Sequence, residues 1–221
     1  MQRDHSVDVP WTADVARFVR RIAATDVGTC RNLYRGDGAR RRRANLTRYL
    51  QARRGADILI VGEAPGYRGG RWSGVPFTAE RDLDALEAAG EGPYRRTSIR
   101  LNGWSEGSAT MVHAALRDLD IEHRTILWNV VPAHPARPGE PNSNRTPSAA
   151  EVAAGIVCLS WLETLTSPGL TIAVGRIAAT ARPDAVRVRH PAHGGAQDFR
   201  RGFVDALAVY ELGLRGSNTT P

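Results

Sequence analysis

Four short strand-like segments punctuate the chain, each closed by polar or turn-forming residues. The apolar run Ile58 to Val61 stops at Gly62-Glu63-Ala64-Pro65-Gly66, and residues 125–131 run into Pro132. Residues 171–174 and 185–189 follow, the last ending at His190-Pro191. Short runs rich in Ile, Val and Leu read as strands of a parallel sheet buried on both faces. Between them the apolar spacing changes to that of helices, predicted over 11–24, 80–90, 109–119 (with Ser108 as cap) and 198–214. A capping box, Ser148-x-x-Glu151, opens a long helix reaching about Thr166, and Pro168-Gly169 stops it. Residues 91–107 are rich in turn formers, and five prolines between Pro132 and Pro147 argue against regular structure there. The expected fold is an α/β, single-domain three-layer αβα sandwich around a central, mostly parallel four-stranded sheet. The whole chain, 1–221, reads as one domain: a helical, Arg-rich part over 1–56, a motif-bearing core over 57–203, and a tail over 215–221 expected to fray.

In open α/β sheets ligands bind in the crevice beyond the carboxyl ends of the strands. Here that rule gathers Glu63, Asn129 and His190 at strand ends, with Phe77 on the loop after the first strand. The predicted pocket holds one carboxylate, one aromatic plate, one amide and one imidazole. Each has a plainer reading: Phe77 as core packing, Asn129 tying down the proline-rich loop, His190 capping a turn.

Charge narrows the chemistry. The net balance is +7, which favours an anionic partner. All 30 basic residues are arginine. Without lysine there is no side-chain amine for a Schiff base and no Walker-type phosphate loop. Nine arginines lie between residues 31 and 54 against one acid, Asp37, and Arg40 to Arg43 form a continuous run. That face is either simply solvated or a phosphate-contacting surface. Two cysteines, Cys30 and Cys158, cannot by themselves build a disulfide framework or a four-thiolate metal site. With no run of 18 apolar residues and no signal-peptide pattern, the expectation is a cytoplasmic monomer with no membrane partner.

With these segments in view, the chain resembles the uracil-DNA glycosylase superfamily. GEAPG followed by GVPF, and NVVP followed by SNRTPSAAE, look like family four; the Gly-Arg-rich loop YRGGRWSG and the ending PFTAE look like family five; HPAHGG resembles the superfamily's His-Pro-Ser motif. The resemblance spans roughly residues 57 to 203. It implies a monofunctional glycosylase that flips uracil, and other deaminated bases, out of DNA and hydrolyses the glycosidic bond in base excision repair. No cofactor and no metal are expected. The implied catalytic residues are Glu63 and His190, with Glu80 a rival general base or simply a helix N-terminal charge. Gly62, Ala64, Gly66, Tyr67, Phe77 and Asn129 would bind the base. Arg68, Arg71, His193, Gly194, Gly195 and Arg200 would meet DNA.

Departures from the family pattern matter as much. Family four holds an iron–sulfur cluster on four cysteines, and one of those places is Gly155 here. Ala64 stands where family one has its water-activating aspartate, and Ala192 where the histidine motif has serine. Gly66 replaces the tyrosine that excludes thymine in family one, implying a more tolerant pocket. The apolar wedge usual after the histidine motif is missing from residues 193–197. A competing reading is a non-catalytic nucleic-acid binder that keeps the pocket. A nucleotide enzyme using GEAPG as a phosphate loop ranks last, since the G-x-G-x-x-G spacing is absent.

Overall fold

The structure is a computed structural model and describes residues 9–192 and 194–217. Helix α1 (Val9–Ala24) leads into a two-residue strand β1 (Arg31–Asn32) and helix α2 (Ala39–Ala52). Strand β2 (Ile58–Gly62) is followed by α3 (Gly70–Ser73), α4 (Asp82–Ala88) and α5 (Gly107–Asp118), then β3 (Thr125–Asn129) and the short β4 (Ala133–His134). Helix α6 (Ala149–Thr166), β5 (Leu170–Val174), α7 (Arg176–Ala181), β6 (Val186–Val188) and α8 (Ala196–Ser217) complete the order.

The central sheet runs β3-β2-β5-β6 and every pairing in it is parallel. All residues of β2 and β3 are buried, because helices cover both faces of such a sheet. Helix α1 packs on α2 and on α6, while α7 and α8 lie against strands of the sheet. The result is a three-layer α/β sandwich. From β2 the chain moves to β3 on one side, then crosses to β5 on the other. That reversal opens a crevice beyond the carboxyl ends of the strands. The β2–β3 ladder continues past its last paired residues, with Val130 N–H donating to Gly62 O at 2.8 Å and Val131 N–H to Glu63 O at 2.9 Å. Those bonds hold the two exit loops side by side.

Helix starts and stops follow local chemistry. The capping box of α6 is present, and Ser167, at φ 46°, ends that helix before Pro168. By length and composition α6 is long and apolar enough to cross a membrane. Within the fold it is a core helix, with Cys158, Leu159 and Leu162 fully buried. Ser108 does not cap α5: the N-cap is Glu106, and Ser108 lies inside the first turn. The proline-rich segment carries β4, which pairs antiparallel with β1. Helix α8 extends to Ser217, and residues 218–221 of the expected tail lie outside the described residues.

The run from Arg40 to Arg43 is divided, with Arg42 and Arg43 turned toward the protein's own carbonyls, so the four do not form one phosphate-facing surface. Arg42 is buried and donates to Leu33 O and to Asp37 O (2.5 Å), and Arg43 donates to Tyr34 O at 2.6 Å. Only Arg40 and Arg41 of the four are exposed. These guanidinium groups satisfy carbonyls of the irregular segment ahead of α2, which have no ladder partner.

Glu151 anchors a second network. Its carboxylate takes two bonds from Arg145 (2.6 and 2.7 Å), one from Thr29 Oγ1 and one from the Ser148 N–H. Those donors, Arg145 foremost, hold its pKa well below the usual carboxylate range. A depressed folded pKa contributes stability above the unfolded value, about 4.3, that is lost as pH falls through the folded one. Glu151→Gln should therefore destabilise the fold by about 3 kcal/mol at neutral pH. The gap to wild type should shrink below about pH 4.3, as checked by urea unfolding at several pH values.

Candidate active site

A cavity of about 450 Å³ opens at the carboxyl ends of β2, β3, β5 and β6. Glu63, Phe77, Asn129 and His190 all line it, as do Ala64 and Gly66. Glu63 follows directly from the last residue of β2, Asn129 ends β3, and His190 stands two residues past β6. Phe77 reaches the same space from the loop after α3. Its φ of 52° is in the left-handed region, which a bulky residue adopts only when its surroundings impose it. Gly62 explains the close packing here. A Cβ at Gly62 would collide with the Phe77 ring and lie 3.1 Å from Asn129 Oδ1. Gly62 thus does not line the cavity but lets plate and amide approach each other.

Asn129 is 3% exposed, and no group among the described residues hydrogen-bonds its carboxamide. Its carboxamide borders the cavity, so its hydrogen-bonding capacity is left to whatever occupies that space. The Ala192 N–H donates to His190 Nδ1 at 3.1 Å. With Nδ1 an acceptor, the neutral ring carries its proton on Nε2. The buried His134 in turn donates from Nδ1 to Pro65 O at 2.9 Å, fixing the GEAPG loop.

Two cavity residues escaped the sequence reading. Glu106, at the N-cap of α5, places its carboxylate in the space that side chains at Gly66 and Gly69 would fill. Its pKa is pushed up to about 7 by burial and then by the nearby Asp82 charge. No donor or cation among the described residues pairs with it. Arg176 opens α7 at the cavity wall, exposed and facing Glu63. Burial pushes the Glu63 carboxyl up, and the Arg176 charge pulls partly back. Nothing singled out Glu106 within its turn-rich segment, whereas Arg176 follows a predicted strand and was findable by the crevice rule. The space at Gly66 is accordingly not open: a carboxyl group stands there.

Several expected site residues serve the scaffold instead. Glu80 is fully buried and does not line the cavity; its carboxylate accepts from the N–H groups of Thr97 (2.7 Å), Ser98 (2.8 Å) and Trp104 (3.3 Å) and from Ser98 Oγ. Committed to four donors, it is no general base. Tyr67 points its ring edge-on to Trp104, which stacks on Trp72 at 5.9 Å, outside the cavity lining. Arg71 is buried, donating to Pro141 O and Asn142 Oδ1 (3.1 Å), so it ties two loops together and does not present itself to DNA. Gly195 is buried, with no room for a side chain beside the His190 carbonyl. Arg200 is exposed but paired with Asp118. Arg68 and Gly194 are exposed, with Arg68 over the Tyr67 ring at 5.1 Å. His193 lies outside the described residues.

Residues 50–210, a span containing all four strand ends and the whole cavity, match the family model of the uracil DNA glycosylase superfamily. The chain belongs to that superfamily. Membership brings DNA as partner and a glycosylase-type hydrolysis of N-glycosyl bonds. A search among curated proteins finds no match.

The iron–sulfur cluster of the superfamily's family four does not fit this chain. Gly155, at one of its cysteine places, has the Val130 carbonyl where a side chain would project. The buried Cys30 thiol is pushed up to about 12 by burial and by Glu151, the reverse of what a thiolate ligand needs. Among the described residues no three His, Cys, Asp or Glu side chains gather to hold a metal ion.

Proposed function

We propose that this protein is a monofunctional DNA glycosylase that extrudes uracil from DNA and hydrolyses its glycosidic bond, leaving an abasic site. The observation that carries the reading is the Asn129 carboxamide, without a protein partner among the described residues, set beside Phe77 at the end of β3 in the cavity that His190 also lines. Its N–H donates to uracil O4 and its Oδ1 accepts from N3–H; cytosine presents the opposite pattern at both atoms. Phe77 receives the extruded ring, a stacking contact worth about 1–3 kcal/mol. His190 Nε2–H meets O2 as the base leaves with the bonding electrons, stabilising the developing anion. A cavity carboxylate orients the water that attacks the sugar. With all 30 basic residues arginine, no lysine is available for a coupled lyase step through an imine.

Single-turnover assays on duplexes carrying one uracil test this. Wild type should leave sites that break only after alkali, and Asn129→Ala should slow excision by 1–3 kcal/mol, roughly 5- to 150-fold. Matched duplexes with hypoxanthine or thymine measure tolerance of the pocket. Strand scission without alkali would contradict the monofunctional assignment. Binding without cleavage at any enzyme excess would replace it with a non-catalytic binder.

A further inference from the structure

The loop between α4 and α5 displays two aliphatic side chains to water, Ile99 at 104% and Leu101 at 92% relative exposure. Every other large exposed hydrophobic among the described residues is 73% exposed or less. Flexible loops seldom carry such a feature, and this loop is held firmly. The buried Glu80 carboxylate takes three backbone N–H groups and one hydroxyl from its two ends. Arg96 and Arg81 donate to the carbonyls of Leu101 (3.2 Å) and Asn102 (3.0 Å). Thr97 Oγ1 donates to Trp72 O at 2.6 Å, and Arg100 lies over the Trp104 ring at 4.2 Å. A fully buried carboxyl group devoted to one loop is a costly element, and here it fixes the loop that carries two exposed apolar side chains.

The loop adjoins the cavity. Trp104 contacts the Tyr67 ring, next to the lining residue Gly66, and two residues beyond Trp104 stands Glu106 in the cavity wall. Its flanks carry Arg81, Arg95, Arg96 and Arg100, of which only Arg96 pairs with a carboxylate, that of Asp84. An apolar tip set among guanidinium groups matches a nucleic-acid duplex, with phosphates outside and stacked bases within. The segment after the histidine motif, residues 193–197, reads His-Gly-Gly-Ala-Gln and carries no aliphatic side chain larger than alanine's. We propose that Ile99 and Leu101 form the wedge of this protein, entering the base stack of duplex DNA and filling the space left by the extruded nucleotide.

The proposal rests on the glycosylase reading, and its test separates the two. Ile99→Ala/Leu101→Ala removes only exposed atoms, so folding is preserved. Excision from a uracil duplex under single turnover should fall at least about tenfold in the double variant, while excision from single-stranded DNA, which has no stack to open, stays within about twofold. With 2-aminopurine beside the target, wild type should raise the fluorescence of the duplex and the double variant should not. Equal losses on both substrates, or an unchanged duplex rate and fluorescence, would overturn the wedge and leave the patch to a protein partner. A wild type that excises nothing yet raises the fluorescence, with the double variant silent, would sink the glycosylase reading and keep the wedge.

Discussion

His190→Ala is expected to reduce the single-turnover excision rate about 10²- to 10³-fold while changing duplex affinity only a few-fold. Breaking the glycosidic bond drives electrons onto the base, and O2 becomes far more basic in the transition state than in the bound substrate. A donor aimed at O2 thus acts differentially, lowering the barrier more than it tightens binding. The Ala192 N–H occupies Nδ1, so the neutral ring carries its proton on Nε2, the nitrogen that would serve as that donor. Gln in place of His190 retains a donor and should recover part of the lost rate. An alanine variant that excises at the wild-type rate would remove His190 from the chemistry. A loss confined to affinity would make it a binding group instead.

The layout of the site was legible where a functional side chain ends a strand. Glu63 and Asn129 each follow or close a segment whose apolar run marks it as a buried strand, His190 comes just after the short edge strand Val186–Val188, and parallel strands must present such ends on one side. Phe77 was legible as a motif member, but its left-handed backbone was not, because that conformation is imposed by packing against Gly62. Glu106 sits in an irregular stretch, where no periodicity tells which side chain turns inward. Arginine was the hardest to place. A guanidinium has five donors on a long stem, and the loops here leave many carbonyls without a ladder partner. Arg42, Arg43, Arg71 and Arg145 all donate to such carbonyls. A basic run in a chain lacking lysine therefore serves loop closure as much as DNA, and charge counting alone cannot separate these uses. Glu80 misled for a related reason: its place beside the PFTA segment fits an acid of the family pattern, yet the loop it faces consumes its carboxylate.

Glu106→Gln is expected to lower the excision rate about 10²- to 10⁴-fold and to abolish the rise of rate with pH through about 7. Two carboxyl groups line the cavity and either could hold the attacking water, but their surroundings differ. Glu63 faces the Arg176 cation, which favours its charged form and engages its field. Glu106 has no such partner among the described residues; burial and Asp82 both disfavour its charge. A carboxyl that titrates near neutrality is the better proton acceptor at physiological pH, since basicity and ionisation are both appreciable there. The sign follows directly: a base must be ionised, so activity should be low below pH 7, climb through it, and level off above. Gln preserves the size of the group and cannot accept the proton, so both rate and limb should be lost together. Glu63→Gln should slow the reaction while leaving the limb in place. If instead Glu106→Gln keeps the limb and Glu63→Gln erases it, the two carboxylates exchange roles, and Glu106 becomes a wall of the pocket where Gly66 leaves room.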